Sequence, residues 1–385
     1  DKVALEDVPL VFAGYGITAP ELGWDDYAGL DVKDKIVVIL VNDPDFESGQ
    51  GDFGGKAMTY YGRWTYKYEE AARRGAAGAL IVHETAPAAD PWATVRNGRN
   101  GPQYDIVRAD AAYYHLPVRG WIQREVAQRL FDESGLDFEA EKARAQQRGF
   151  AGYRLQGASA SLAFDVQRER IASRNVAGIL PGASRPQQTV IVSGHWDSFG
   201  IIADPDGSGD AIVNGAVDNA TSIASLIEIA RVFSAGERPA RSLLFLAVTA
   251  EESGLLGARY YAAHPLRPLE TTVADLNIEM WSPDGPTRDI SSWGAGKVSL
   301  ERDLVEVARA EGRHWSPDDN LEAGLFYRAD HFAFAQAGVP AITIGPGMDQ
   351  VEGGVEGGKA ARAAYFANCY HQPCDEFDDS WDMRG

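Results

Sequence analysis

The chain has only two cysteines, no long apolar run and a deficit of basic residues, and each shortage excludes something. With 36 Lys and Arg against 56 Asp and Glu, the formal charge is -20. That balance excludes nucleic acid and anionic membrane surfaces as natural partners. No segment approaches the ~20 uninterrupted apolar residues of a membrane span, so membrane insertion is not expected. The first seven residues, from Asp1 to Asp7, have neither the basic nor the apolar region of a signal peptide. They read as the start of a mature or trimmed chain. No repeat at solenoid periods is visible. The two cysteines, Cys369 and Cys374, flank His371 without the second thiol pair of a zinc ribbon. They read as a disulfide pinning that loop, which places the chain in an oxidising, extracytoplasmic compartment; thiol ligation of a metal is the alternative.

What is present suits a globular protein. Hydrophobic residues make up 45% of the chain and aromatic residues 10%, and 385 residues exceed a typical single core, so two domains are expected. In the first, residues 1–160, the continuously apolar run 35–41 (Lys-Ile-Val-Val-Ile-Leu-Val) predicts a buried strand. A glycine-rich loop follows. The segment 66–74 has helix composition and stops at Gly75, and Ala79-Leu80-Ile81-Val82 predicts the next strand, giving a βαβ unit. Proline, asparagine and glycine over 87–102 predict a long surface loop. In residues 161–385 strands and helices alternate. The runs 188–193 and 242–248 are buried-strand candidates, and Ile223, Leu226, Ile227 and Ala230 form a helical stripe beginning near Asn219. The expected fold class is α/β: a mostly parallel, helix-covered sheet, with a smaller α/β or β-rich domain before it.

The chemistry is concentrated in the second half. His195 directly follows one apolar run, Glu251 and Glu252 follow another, and Glu279 ends a third. In open α/β sheets ligands gather at the carboxyl ends of strands. With Asp218 and His371 these residues make two imidazoles and three carboxylates, with one further glutamate beside them, the donor set of a two-metal hydrolase. Asp197 lies two residues after His195, a spacing that predicts its carboxylate accepting the second imidazole proton.

Taken together, His195-Trp196-Asp197-Ser198, Asp218-Asn219-Ala220-Thr221, Glu251-Glu252-Ser253-Gly254-Leu255-Leu256-Gly257 and Tyr370-His371-Gln372 resemble the dinuclear zinc peptidases. That family includes secreted bacterial aminopeptidases and glutamate carboxypeptidase. The resemblance covers residues ~165–385 in the family's motif order. It implies a zinc exopeptidase acting on peptides, with Asp218 bridging two Zn2+ ions. His195 and Glu279 would complete one site, Glu252 and His371 the other. Glu251 would be the general base and acid, and Tyr370 the oxyanion donor. The Cys-Tyr-His-x-x-Cys arrangement also looks like that of the secreted aminopeptidases, which favours the disulfide.

The first half resembles a protease-associated domain through Leu10-Val11-Phe12-Ala13-Gly14-Tyr15-Gly16 and the 69–76 helix end. Family members commonly carry helices before that module, and none is read before Val8. An aminopeptidase is the leading expectation. The alternatives are a glutamate-type carboxypeptidase or dipeptidase, which calls for clustered arginines not seen near the motifs, and a non-catalytic binding protein on the same scaffold.

Two departures stand out. Glu279 occupies a position where the family usually has aspartate, which puts occupancy of its zinc site in question. The interval from His195 to Asp218 is long, and its acidic, glycine-rich stretch 204–210 reads as a solvated turn, with calcium as the alternative. Asp330 and His331 read as supporting residues near the pocket, and Arg328 as a substrate contact. His83, His115, His264 and His314 read as structural. The glycine run 353–358 reads as an entrance flap or an ordinary linker.

Overall fold

The computed structural model describes residues 2–97, 101–108, 116–202 and 209–384. His115 and most of the acidic stretch, residues 204–208, lie outside them. The chain divides into two compact units, one of residues 1–171 with Asn320–Gly324, the other of residues 172–319 and 325–385.

The first unit is built on β1 (Lys2–Phe12), β2 (Ile36–Leu40), β3 (Gly78–His83), β4 (Val118–Gln123) and β5 (Tyr153–Asp165), in the order β4-β3-β2-β1-β5. All neighbours are parallel except β1 and β5. β2 is continuously apolar because both its faces are covered. Ile36, Val38 and Leu40 pack with Phe131 and Phe138, whereas Val37 and Ile39 pack with Tyr68 and Ala71. Tyr68 and Ala71 belong to the helix Trp64–Arg73, so the anticipated βαβ unit is present. Two differences concern loops and limits. Residues 87–102 are not structureless, since short helices occupy Thr85–Ala88 and Trp92–Asn97. The expected boundary near residue 160 falls inside β5.

The second unit carries β6 (Val176–Leu180), β7 (Arg185–His195), a short hairpin of β8 (Gly200–Ile201) and β9 (Ile212–Val213), β10 (Arg241–Val248), β11 (Thr272–Ile278), β12 (Asp289–Ser292), β13 (His314–Pro317) and β14 (Ala341–Pro346). Outside the hairpin the sheet order is β13-β12-β14-β11-β7-β10-β6. The central strands β14, β11, β7 and β10 are mutually parallel. Side chains alternate across the sheet, so Ile191, Leu244 and Leu246 pack under Ala258, Tyr261 and Phe334 on one face. On the other face Val192, Leu243 and Phe245 pack against Leu226, Ile229 and Ala230. Those three come from the helix Thr221–Ala235; Ile227, expected in its buried stripe, instead faces solvent. Each fully buried aliphatic side chain contributes ~1.5–3 kcal/mol, so this two-sided packing holds the strand ends in fixed register. The glycine run is also neither flap nor linker: the helix Gly354–Asn368 begins within it.

One buried polar group in the sheet makes stability depend on pH. Asp275 on β11 is fully buried, and among the described residues only one of its oxygens has a partner, the Ser193 hydroxyl at 2.8 Å. Burial pushes its carboxyl up to about 7, with the Ser193 hydroxyl pulling back. The folded state therefore binds this proton more tightly than the unfolded chain. Its stabilising contribution is present below the ordinary carboxylate pKa and is lost as pH rises towards 7. The whole effect is at most on the order of 4 kcal/mol. Asp275→Asn should remove that loss. Urea midpoints at pH 5 and pH 8, measured without metal, should fall less between the two conditions in the variant than in the parent.

Candidate metal centre

Three neighbouring parallel strands deliver the first site residues. His195 is the last residue of β7, Glu279 follows β11 directly, and Glu251 lies three residues past the end of β10. Asp218 sits in a turn just before the helix Thr221–Ala235, and its peptide bond to Asn219 is cis. His371 lies in the loop after the helix Gly354–Asn368, closed by a disulfide between Cys369 and Cys374 with a Cα separation of 5.1 Å. The thiols are thus spent on each other and not on a metal.

Two donor groups form. His195, Asp218 and Glu279 make one; Asp218, Glu252 and His371 make the other, with the donor atoms of each group within 4.8 Å of one another. Asp218 divides its carboxylate between them. Its Oδ1 lies 3.1 Å from His195 Nε2, and its Oδ2 lies 3.3 Å from His371 Nε2. Glu279 Oε1 is 3.1 Å from the same His195 nitrogen, and Glu252 Oε2 is 3.3 Å from that of His371. Among the described residues, the ion-pair partners of these three carboxylates are the two histidines alone. Concentrated buried negative charge without Lys or Arg calls for a cation. Glu252 Oε1 is also buried without a hydrogen-bond partner among the described residues. Nitrogen and carboxylate donors of this kind fit zinc.

The protonation pattern follows the same crowding. Burial raises the Glu251 carboxyl well above its ordinary range, with Asp330, Glu252 and Glu279 adding to the rise. Glu252 is raised by burial and then by Asp218. For Asp218 burial works upward, but hydrogen bonding to His195 and His371 outweighs it and the net shift is downward. Burial likewise opposes charge on His195, yet Glu279 and Asp218 hold its pKa well above the ordinary value. Bound dications would replace these shared protons as the balancing charge.

The supporting residues correct one expectation and add three residues. His195 Nδ1 lies 3.1 Å from the Asp197 backbone carbonyl and 3.8 Å from its carboxylate Oδ1, an ion-pair distance too long for a hydrogen bond. The carboxylate turns instead towards the next strand end, where it accepts from the backbone N–H groups of Glu251 (3.0 Å) and Glu252 (3.3 Å). The strand-like spacing missed this because the chain leaves β7 at His195.

Glu279 is held by two amides: Asn219 Nδ2 donates to Oε1 at 3.2 Å and Asn277 Nδ2 to Oε2 at 3.0 Å. The longer side chain thus has its own fixed seat. Asp375, a lone residue in an acidic tail, accepts from the backbone N–H groups of Val217 and Asp218 and from the Tyr365 hydroxyl. It ties the turn of Asp218 to the segment after the disulfide, and nothing local in the sequence marks it.

The backbone is specialised at the same points. Ala250, Met280 and His371 have φ of 56°, 45° and 58°, next to or at the donor residues. Such left-handed conformations cost non-glycine residues ~1–3 kcal/mol each and persist where the surroundings over-determine them. Gly257 ends the Glu-Glu motif because a Cβ there would come within 2.3 Å of the Thr249 carbonyl.

Tyr370 stacks on His371 with ring centroids 3.6 Å apart. Burial, then Asp218 and Glu252, push its hydroxyl pKa well up. Asp330 and His331 are fully buried and join neither donor group; His331 Nδ1 pairs with the Thr343 hydroxyl at 2.6 Å. His83 packs between Trp92 and Trp121, and His264 stacks on Tyr260.

Residues 175–383 match Peptidase family M28. Over 130 residues the chain is 34% identical to aminopeptidase NAALADL1 of Mus musculus, covering 32% of this chain and 16% of that protein. A probable zinc metalloprotease of Leptosphaeria maculans is 30% identical over 199 residues, 44% of this chain and 45% of the relative. The chain therefore spans less than half the length of these curated relatives. Among solved structures, an aminopeptidase from Aneurinibacillus sp. strain AM-1 aligns over 97% of this chain and 72% of its own, with 20% identity and a TM-score of 0.45. A zinc aminopeptidase from Bacillus subtilis aligns over 98% and 79%, with 19% identity and a TM-score of 0.37.

Proposed function

The chain belongs to Peptidase family M28, and on that footing we propose that it is a zinc-dependent aminopeptidase, removing the first residue of peptides. The observation that carries the reading is the division of the Asp218 carboxylate between two His-carboxylate groups. His195, Asp218 and Glu279 would hold one Zn2+; Asp218, Glu252 and His371 would hold a second. Zinc bound there supplies Lewis-acid activation of a water nucleophile and of the scissile carbonyl.

The remaining work falls to the chain. Glu251 takes a proton from the attacking water on its carboxylate and passes it to the departing amine. The Tyr370 hydroxyl donates to the oxyanion that develops on the carbonyl. Asp197 keeps Glu251 and Glu252 in place through their backbone N–H groups, and the disulfide holds Tyr370 and His371 in one loop.

Both donor groups come wholly from the second unit. We assign catalysis to that unit and read the first as an accessory module of the protease-associated type. The disulfide supports an extracytoplasmic location, and no described helix is long and apolar enough to cross a membrane.

The test is a panel of dipeptides with free or acylated amino groups and free or amidated carboxyl groups, assayed with zinc-loaded protein. Cleavage that needs the free amine and tolerates the amide is expected. A strict need for the free carboxylate would instead indicate a carboxypeptidase.

A further inference from the structure

The long interval between His195 and Asp218 contains the hairpin of β8 and β9, which the mechanism does not use. Ile201 and Ile212 are direct partners across this antiparallel pair, so their side chains emerge on one face. Val213, the next residue, points the other way and is buried. Ile201 is 81% exposed and Ile212 is also exposed, as is Phe199 just before the hairpin. Single exposed apolar residues need no explanation, but three at one short element mark a contact surface. Their position says what touches it. The Phe199 ring lies 4.6 Å from the imidazole of His371. The hairpin base is also fastened near the disulfide loop, because Asn214 Nδ2 donates to Glu376 at 2.7 Å.

The two sides of the metal centre differ in openness. The side chains of His195 and Glu279 are 1% and 5% exposed, whereas that of His371 is 29% exposed. An enzyme that removes one terminal residue encloses that residue, and its substrate continues only on the leaving side. The open flank, His371, carries Phe199, and the base of the hairpin is fastened beside the disulfide loop.

Resting on the aminopeptidase reading, we propose that Phe199, Ile201 and Ile212 form an apolar shelf for the residue after the scissile bond. The favoured substrates are then peptides with a large apolar residue in second position.

The test keeps the first residue constant, with Ala-Ala, Ala-Leu and Ala-Phe as substrates for the zinc-loaded full chain. Ala-Phe should be cleaved with kcat/KM about tenfold above Ala-Ala, the discrimination an apolar contact of this size provides. In Ile201→Ser/Ile212→Ser the ratio should fall to within about twofold, with the zinc content unchanged. An unaltered ratio in the variant, or no preference in the parent, overturns the shelf. So does an intact ratio combined with a change from dimer to monomer in sedimentation, which would make the patch a contact between copies.

Calorimetry of Ala-Phe and Ala-Ala with zinc-loaded Glu251→Gln separates the two readings. If the parent cleaves neither peptide while this variant binds Ala-Phe about tenfold more tightly, the aminopeptidase reading fails, and the apolar contact for a peptide side chain survives without its assignment to the residue after the scissile bond. Equal affinity, or no binding, counts against the shelf whatever the activity.

Discussion

Glu251→Gln is expected to retain its zinc and to lose about a thousandfold in kcat, within the ~10²–10⁴ that a positioned general base contributes. The side chain belongs to neither donor group, so its amide should leave the metals in place. Its backbone N–H would still be held by Asp197, so the loop carrying Glu252 should not move. KM should change little, because the proton is transferred only during reaction. Steady-state kinetics beside elemental analysis of the same sample checks both halves. Turnover within tenfold of the parent would remove Glu251 from the mechanism, and loss of zinc would make it a ligand.

The second large effect concerns the residue common to both groups. Asp218→Asn keeps the shape of the side chain but removes its charge and one of its two acceptor oxygens. Both histidines are paired with that carboxylate, so both sites should weaken together. Below one zinc per chain after gentle desalting is expected, with activity reduced by about the same factor as the metal content or more. Glu252→Gln offers the contrast, since Glu252 serves one group only. It should lower the content towards one. If Asp218→Asn lost one zinc as cleanly as Glu252→Gln, the bridge would not exist.

Some of this arrangement could be read from residues alone. β7, β10 and β11 are apolar runs because helices cover both sheet faces, and the donors follow those runs directly. The strand-end rule therefore located His195, Glu251, Glu252 and Glu279 without knowing the strand order. The order itself, with β11 and β10 on either side of β7, is set by long-range pairing that no local pattern encodes. The supports were less visible for the same reason. Asp375 reaches the Asp218 turn from 157 residues away, and Asn219 becomes a partner of Glu279 only once that turn packs against the end of β11. The Asp197 carboxylate was misdirected by assuming that strand geometry continues past His195. The helix inside the glycine run was missed because glycine disfavours helices, although the alanine-rich residues that follow support one.

Zinc titration of the demetallated protein, followed by calorimetry with elemental analysis at the end point, tests the central claim most directly. The shared Asp218 carboxylate predicts two zinc ions per chain for the parent, and less than one for Asp218→Asn under the same conditions. A parent that saturates at one zinc or none would contradict it, as would an Asp218→Asn protein that still binds two.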